Sequence, residues 1–267
     1  MRNEEAARLD KPWARTLPAR MVRGVVLRGV FGTIIDAYAR QQIVGHELLA
    51  HLDKPAIFVA NHSSHVDTPV LLRSLPPRRR RRTAVAAAVD YFYANRLLAS
   101  TVSLAFGTVP LERRSRGVDI HPNGHLEPLI NGGWNLVVFP EGTRSRDGRV
   151  GVMRSGAARL AAKHGVPIVP VHISGTHEAM PPGSGWMIRP PGSRWRGRHT
   201  IRVTFGLPIY ARAEEEPLEV METIRLFMAA CGADTTPDPR LAALRAARAA
   251  RAAKTAEPAL ATYGQPA

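Results

Sequence analysis

The clearest chemical signal in the chain is a histidine followed five residues later by an aspartate. His62 and Asp67 lie in segment 61–67 (NHSSHVD), directly after the apolar run Ala56–Ala60. On one straight α-helix five positions rotate by about 500°, so the two side chains would point in different directions. They meet if His62 lies in a loop and Asp67 in the first turn of a helix. Asp67 would then accept the Nδ1 proton of His62 and leave Nε2 as a base.

The same segment also has a purely structural interpretation. Ser64 and Asp67 have the spacing of a capping box, in which Ser64 is the N-cap and Asp67 the third helical residue. A capping box explains both residues without any chemistry. His65 is expected to support the site or to lie at the surface rather than to act as a catalyst. From these residues alone, both interpretations stay open.

A second polar segment follows another apolar run. Phe139–Ser145 (FPEGTRS) comes at the end of Asn135–Phe139 (NLVVF). Gly142 permits close approach of the backbone to a ligand, and Arg144 offers a planar fork of donors that suits a phosphate. Ligands of open α/β sheets bind beyond the carboxyl ends of the strands, where both polar segments are expected. A glycine and an arginine in one loop are, by themselves, only a weak signal for an anion site.

Two further segments complete the set. Residues 109–114 (VPLERR) place Arg113 and Arg114 after a predicted strand. Residues 166–171 (VPIVPV) are predicted to form a strand whose two prolines favour a sheet edge or an irregular start, because proline cannot donate to a ladder.

Apolar runs of strand length alternate with helical patterns along most of the chain. This alternation predicts an α/β fold with a largely parallel central sheet flanked by helices, preceded by an N-terminal amphipathic helix. The predicted strands are 56–60, 83–89, 106–111, 135–139, 166–173 and 200–205, and the predicted helices include 90–103, 125–131, 155–164 and 218–230.

The N-terminal helix and an arginine run each have two interpretations. From Arg20 to Tyr38, apolar residues recur with a spacing close to 3.6, and Arg23 and Arg28 flank them. This pattern predicts a helix that either docks on its own domain or lies in a membrane interface, where arginines meet lipid phosphates. The run Arg78–Arg82 is either a solvated loop or a polybasic contact with anionic lipid.

Composition narrows the possible classes of protein. The chain has 267 residues, with 37 Lys and Arg against 22 Asp and Glu, and its net charge of +15 calls for an anionic partner or surface. Cys231 is the one cysteine, which excludes an internal disulfide and a cysteine-based zinc site. No apolar leader pattern and no run of about 18 apolar residues is present, so neither a signal peptide nor a spanning helix is expected.

In this order, the four segments resemble the blocks of glycerolipid acyltransferases of the 1-acyl-sn-glycerol-3-phosphate acyltransferase type. NHSSHVD is similar to the His-x4-Asp block, GTVPLERR to the second, FPEGTRS to the third and GVPIVPV to the fourth. The resemblance covers roughly residues 45–210, and FPEGTRS is highly specific. Residues 153–156 (MRSG) depart from it, since relatives often carry Phe-Lys before the glycine. Arg154 keeps that positive charge but changes its shape.

The resemblance implies a glycerolphosphate acyltransferase-like fold and a role for each matching residue. His62 is implied to be the general base that deprotonates a hydroxyl for attack on a thioester, and Asp67 orients it. Residues implied to bind the phosphate of the acceptor are Arg113, Glu141, Gly142, Thr143 and Arg144.

The implied reaction moves a fatty acyl group from acyl-CoA or acyl-carrier protein to the hydroxyl of lysophosphatidic acid, giving phosphatidic acid. It needs no metal and no cofactor. The implied partners are the lysophospholipid, the acyl donor and an anionic membrane surface at the cytoplasmic face, with no nucleic acid. The expected organisation is an arm and helix at 1–44, an acyltransferase domain at 45–232 and a partly disordered Ala/Arg-rich tail at 233–267.

Alternatives to this reaction remain at the level of sequence. An acyltransferase of the same family that uses another lysophospholipid or glycerol phosphate would carry the same motifs, because the pocket walls select the acceptor. A basic nucleic-acid-binding protein would explain the charge but not FPEGTRS, and an aromatic content of 6% offers few stacking platforms. A membrane-surface protein with an inactive site is the third alternative.

Overall fold

The centre of the fold is a seven-stranded sheet. The structure, a computed structural model, describes residues 8–88, 96–111, 126–193 and 197–261. The strands lie side by side in the order β1-β7-β6-β2-β5-β3-β4. All neighbouring pairs are parallel except β6 and β7, so the predicted largely parallel α/β sheet is confirmed. The strands are β1 (Ala39–Val44), β2 (Ile57–Ala60), β3 (Thr83–Ala88), β4 (Thr108–Leu111), β5 (Asn135–Val138), β6 (Ile168–Ser174) and β7 (His199–Phe205).

Helices connect the strands and cover the sheet. Short 3₁₀ helices lie at Pro12–Arg15 and His46–His51. The α-helices are α1 (Leu17–Val25), α2 (Phe31–Tyr38), α3 (Asp67–Ser74), α4 (Pro77–Arg80), α5 (Arg96–Phe106), α6 (Glu127–Asn131), α7 (Gly156–His164), α8 (Thr176–Ala179), α9 (Pro217–Ala230) and α10 (Pro239–Ala261).

Strand β2 separates two apolar cores. Its side chains alternate between the two faces of the sheet, so Phe58 and Ala60 join one core while Ile57 and Val59 join the other. All four are buried, which explains why this strand is a continuous apolar run rather than an alternating one. The loop that follows β2 is therefore anchored at the middle of the sheet.

The predicted N-terminal helix is interrupted by one π-helical segment. Helix α1 passes through π-helix Val26–Val30 into α2, and Leu27 and Ile35 are fully buried against the domain. The opposite face of α1 is open, with three apolar side chains more than half exposed at a four-residue spacing: Leu17, Met21 and Val25. The helix thus docks on its own domain by one face and leaves an apolar stripe on the other.

Arg23 departs from its predicted place on the basic flank of this helix. Its side chain is buried, and its guanidinium donates to the carbonyls of Ala14 (2.6 Å), Ser103 (3.0 Å) and Leu104 (2.9 Å). Burial, followed by the charges of Arg15 and Arg20, lowers the pKa of Arg23 to about 10. Arg23 therefore ties α1 to the end of α5 and does not form part of an exposed basic flank.

Two strands differ from the sequence-based prediction. Strand β1 is not among the predicted strands, because most of its polar sequence, ARQQIV, is exposed at the sheet edge. Strand β6 lies between β7 and β2, so the sheet edge, one of the two interpretations of its prolines, is wrong. The carbonyl of Pro170 accepts from Gly206 N–H at 2.8 Å on the β7 side, while the ladder with β7 begins only at Val171. The missing N–H of Pro170 therefore costs that ladder no hydrogen bond.

One helix boundary also moves. Helix α5 continues to Phe106, which the pattern assigns to the following strand, and β4 begins at Thr108. The predicted start of this helix at residue 90 lies outside the described residues.

The arginine run is partly built into the fold. Arg82 donates to the carbonyl of Gly132 at 2.9 Å, whereas Arg78 is exposed. A run whose members bind backbone carbonyls is not a freely solvated loop. The guanidinium of Arg79 donates to three carbonyls around the end of the second 3₁₀ helix, those of Leu49 (3.1 Å), Leu52 and Lys54 (3.2 Å).

The chain divides into two compact units, Met1–Thr236 and Pro237–Ala267. The first contains the sheet, and the second contains α10. The predicted boundaries after residues 44 and 232 stay predictions.

In the part of the chain that the structure describes, no helix is both long enough and apolar enough to span a membrane.

Candidate active site

Strands β2 and β5 bring the two main polar segments together. These strands are parallel neighbours, with Val59 opposite Val138. The carboxyl ends of parallel neighbours lie at the same edge of a sheet, so segments 61–67 and 139–145 leave it side by side. The sheet thereby builds one site from residues about eighty positions apart.

His62 and Asp67 form a hydrogen-bonded pair. Helix α3 begins at Asp67 while His62 stays in the loop, as their spacing requires. Nδ1 of His62 lies 2.9 Å from Oδ2 of Asp67. The Asp67 side chain is fully buried, whereas that of His62 is 19% exposed. The carboxylate fixes one ring nitrogen and leaves Nε2 as the nitrogen that a substrate can approach.

The Asp67 carboxylate also organises the loop before it. Its Oδ2 accepts the backbone N–H groups of Ser63 and Ser64, each at 2.7 Å. The contact with Ser64 N–H is one half of the predicted capping box. The other half is missing, because the helix begins at Asp67 with Val66 as its N-cap; the hydroxyl of Ser64 instead donates to the carbonyl of Met180 at 2.9 Å. One carboxylate thus holds both the imidazole and the loop that carries it.

Glu141 supports this loop from the neighbouring strand. Its Oε1 accepts the backbone N–H of His62, and its Oε2 accepts that of Gly151, both at 2.8 Å. Burial raises the pKa of Glu141, and the two backbone hydrogen bonds oppose that shift. Both carboxylate oxygens therefore bind protein backbone. The prediction that Glu141 binds the phosphate of a substrate has no support in this arrangement.

Two more contacts fix the histidine. The carbonyl of His62 accepts the backbone N–H of Ser145 at 2.8 Å. The imidazole stacks on the ring of Phe139, with centroids 4.2 Å apart and planes inclined by 23°. Backbone, ring face and Nδ1 of His62 are all held, and its Nε2 edge is left for chemistry.

A cavity of about 850 Å³ adjoins this histidine. Its polar lining includes His62, His65 and three guanidinium groups, those of Arg144, Arg146 and Arg154. Burial, followed by the charge of Arg144, lowers the pKa of His65. The apolar lining comes from several segments of the fold and includes Phe31, Ile34, Val102, Phe106, Met180 and Trp186. A ligand with a charged head and a hydrocarbon chain fits a cavity that has both kinds of lining.

The other predicted phosphate-binding residues are placed as follows. Gly142, Thr143 and Arg144 line the cavity. Gly142 has a φ of +76°, a conformation that favours glycine. Arg113 lies two positions beyond the end of β4 and outside the described residues. Within the described ranges, no cluster of three or more His, Cys, Asp and Glu side chains is arranged to hold a metal ion.

Sequence reasoning missed Asn61. Its amide donates to the carbonyl of Ile173 and its side-chain oxygen accepts the N–H of the same residue, both at 2.8 Å. This buried side chain joins the end of β2 to β6 and sets where the histidine loop begins. A buried asparagine directly after a strand and before the histidine was the available signal. Arg146 and Arg154 were also left out of the predicted site.

A sequence profile of the acyltransferase family matches residues 40–174, about half of the chain. The match includes His62, Asp67, Glu141 and Arg144. The chain belongs to the acyltransferase family.

Several curated relatives of this acyltransferase carry a more specific name. It is 32% identical to the chloroplastic 1-acyl-sn-glycerol-3-phosphate acyltransferase of Brassica napus, over 66% of this chain and 47% of that one. The enzyme of the same name from Arabidopsis thaliana is 35% identical, over 56% of this chain and 40% of its own. The 1-acyl-sn-glycerol-3-phosphate acyltransferase of Saccharomyces cerevisiae is 36% identical, over 54% of this chain and 46% of its own. The chain spans less than half the length of each of these relatives.

A solved structure shares the fold of this acyltransferase. The crystal structure of the 1-acyl-sn-glycerophosphate acyltransferase PlsC from Thermotoga maritima superposes with a TM-score of 0.57 and 22% sequence identity. The match covers 83% of this chain and 81% of that one. The predicted glycerolphosphate acyltransferase-like architecture is confirmed. The comparisons give no support to the nucleic-acid-binding alternative.

Proposed function

We propose that this protein transfers a fatty acyl group from a thioester donor to the free hydroxyl of lysophosphatidic acid, giving phosphatidic acid. The observation that carries the proposal is the His62–Asp67 pair beside a cavity lined by arginines and by apolar side chains. The names of the relatives support this acceptor. The donor is acyl-CoA or acyl-carrier protein, and no further cofactor takes part.

In the proposed mechanism, His62 acts as general base. Its Nε2 takes the hydroxyl proton of the acceptor as the oxygen attacks the thioester carbonyl carbon. The tetrahedral intermediate collapses, the carbon–sulfur bond breaks, and the proton on Nε2 passes to the leaving thiolate. Asp67 stabilises the imidazolium that exists between these steps and keeps the ring in the orientation that presents Nε2.

The charged lining favours a phosphorylated acceptor. A guanidinium group presents a fork of donors that matches phosphate oxygens, and Arg144 lies in the loop next to that of His62. The apolar walls suit hydrocarbon chains. Arg113 matches the second sequence block of the family and is kept as a second phosphate ligand in the proposal. Gly142 and Thr143 shape the loop between the arginines and the base.

A second candidate is an enzyme of the same family with a different acceptor. The cavity is large enough for more than one headgroup, and the residues around His62 do not themselves select one. Another lysophospholipid or glycerol phosphate would use the same base. Competition between these acceptors in one assay ranks them directly.

We also propose that the protein binds peripherally to the cytoplasmic face of a membrane, whose leaflet carries anionic lipid. The open stripe of α1 supports this location, because Leu17, Met21 and Val25 are 60%, 65% and 72% exposed. Sedimentation with anionic vesicles tests it. Binding should be lost when Met21 and Val25 are both changed to glutamate, and unchanged binding would contradict the proposal.

The decisive experiment for the reaction measures thiol release from a long-chain acyl-CoA with and without lysophosphatidic acid. Wild type should release thiol only when the acceptor is present, and His62→Ala should abolish release. His51→Ala, at an exposed histidine outside the cavity, is the matched control. Equal release by wild type and His62→Ala would show that His62 is not the base. A silent wild type, with acyl-carrier protein donors as well, would reject the proposed reaction.

A further inference from the structure

Arg154 brings a guanidinium to the cavity from a different part of the chain than Arg144 and Arg146. Those two follow β5 directly, whereas Arg154 lies just before α7. All three line the same cavity as His62. The backbone N–H of Arg154 donates to the carbonyl of Pro140 at 3.0 Å, which fixes its chain segment against the loop that carries Glu141.

The guanidinium of Arg154 lies next to Gly142. A Cβ atom at that position would lie 3.3 Å from both Cζ and Nε of Arg154 and 3.5 Å from one of its terminal nitrogens. Such contacts with Cζ and Nε are tighter than ordinary van der Waals packing. The guanidinium therefore lies close against the backbone of the loop at Gly142.

The charge of the lining calls for an anion. Among the lining residues that the structure describes, every ionisable side chain is an arginine or a histidine, and no Asp or Glu is among them. Asp147, the nearest carboxylate in sequence, accepts from the hydroxyl of Ser145 and the backbone N–H of Arg149, and Glu141 uses both oxygens for backbone N–H groups. A lining whose ionisable side chains are arginines and histidines favours an anionic ligand, and phosphate accepts two hydrogen bonds from one guanidinium.

We propose that Arg154 binds a phosphate group of a substrate in this cavity and so helps to select that substrate. The inference rests on the proposed function for the identity of the substrates. The phosphate comes either from the acyl acceptor, as its phosphomonoester, or from the acyl donor, as the phosphate of its pantetheine arm or of coenzyme A. The fork of two parallel donors, and not only the positive charge, is what the site uses.

Steady-state kinetics separate the two sources. Arg154→Met keeps the length of the side chain and removes the charge, whereas Arg154→Lys keeps the charge and removes the fork. For Arg154→Met we expect a ten- to hundredfold rise in KM for one substrate, about what the loss of a charge-assisted hydrogen bond produces. Arg154→Lys should fall between Arg154→Met and wild type. Arg159→Met, on the exposed side of α7, removes the same charge outside the cavity and should behave as wild type.

The kinetics distinguish the two possible sources of the phosphate. A rise confined to the KM of lysophosphatidic acid assigns the acceptor phosphate, and a rise confined to the KM of acyl-CoA assigns the donor. Unchanged KM values for both substrates overturn the inference. So does an equal rise in Arg159→Met, because that would reflect overall charge rather than a site.

A binding measurement keeps the inference testable if the proposed reaction fails. The shift in melting temperature of the full chain is recorded with glycerol 3-phosphate, inorganic phosphate and coenzyme A. At least one probe should stabilise wild type and Arg159→Met but not Arg154→Met. A wild type without turnover that still shows this difference would reject the reaction and retain the phosphate site. Equal stabilisation of all three proteins would overturn the site. If Arg154→Met does not fold, Arg154→Gln and Arg154→Lys take its place.

Discussion

The backbone N–H of His62 donates a hydrogen bond to Oε1 of Glu141 across two neighbouring strands, at 2.8 Å. The other oxygen of Glu141 holds Gly151 at the same distance. Glu141 lies in a motif that was expected to face a substrate, but its carboxylate binds the backbone of the protein instead. It connects the loop of the proposed base to the loop of the proposed phosphate ligands, so that the two cannot shift independently.

Glu141→Gln should lower kcat more than it raises KM. A glutamine amide offers one acceptor oxygen, so it cannot accept both backbone N–H groups, and the loop of His62 loses its fixed position. We expect kcat to fall about ten- to hundredfold, since small misplacements of reacting groups are costly. Steady-state kinetics with both substrates measure the split. Glu178→Gln, at an exposed glutamate, is the control. An increase in KM with unchanged kcat would instead favour a role in binding.

Asp67→Asn should leave the fold intact and remove most of the turnover. The asparagine carbonyl can still accept hydrogen bonds, but the negative charge that stabilises the imidazolium is lost. We expect kcat to fall by about 10²–10⁴-fold, with little change in KM. Circular dichroism checks the fold, and Asp53→Asn, at an exposed aspartate, is the control. Near-normal turnover in Asp67→Asn would mean that this carboxylate serves only to order the loop.

Arg79 and Arg78 should differ sharply although they are neighbours in the same arginine run. Arg79→Ala removes the donor to three backbone carbonyls and should lower the free energy of unfolding by about 1.5–3 kcal/mol. Arg78 is exposed, and Arg78→Ala should change it by less than about 0.5 kcal/mol. Urea unfolding of both variants measures the difference. Equal effects would show that the carbonyl contacts of Arg79 add nothing to stability.

His172 should make the protein less stable in mild acid. Burial lowers its pKa from 6.5, the value expected in the unfolded chain. Between the lowered folded pKa and 6.5, the unfolded state binds a proton that the folded state lacks. The free energy of unfolding therefore falls as the pH drops below about 6.5. Above that pH, the stability that neutral His172 contributes is fully present.

Urea unfolding of wild type and His172→Leu at pH 7.5 and pH 5.5 measures this effect. The loss of stability between the two values should be smaller in His172→Leu than in wild type. It should not vanish, because the lowered pKa of His65 acts in the same direction. His51→Leu, at an exposed histidine, should keep the dependence of wild type. An identical pH dependence in His172→Leu would refute the assignment.

Much of the site could be predicted because its signals are local. A buried strand followed by a polar loop is visible as an apolar run that ends at Asn61, and the same holds at Phe139. The spacing of His62 and Asp67 specifies a loop followed by a helix, and the structure has this form. The alternation of strands and helices was enough to predict the parallel sheet.

What could not be predicted depends on partners that are distant in sequence. Nothing near Glu141 shows that its carboxylate meets the backbone of His62, and nothing near Arg79 shows that it meets Leu49. The sequence places Arg23 on the basic flank of its helix, yet the end of α5 covers it. Strand β1 was missed because an edge strand needs no apolar alternation to pair with β7.

The residues that line the cavity differ in how much a substitution would disturb the proposed reaction. His62 and Asp67 come from one stretch of seven residues, which hydrogen bonds to Glu141, Ile173 and Met180 hold in place, whereas the apolar wall is shared by α2, α5 and the segment that follows α8. A substitution at Phe31, Met180 or Trp186 alters the volume offered to a substrate without changing the proposed base. Such an arrangement is easy to diversify, by duplication in nature or by a mutant library in the laboratory, while the reaction itself is inherited unchanged.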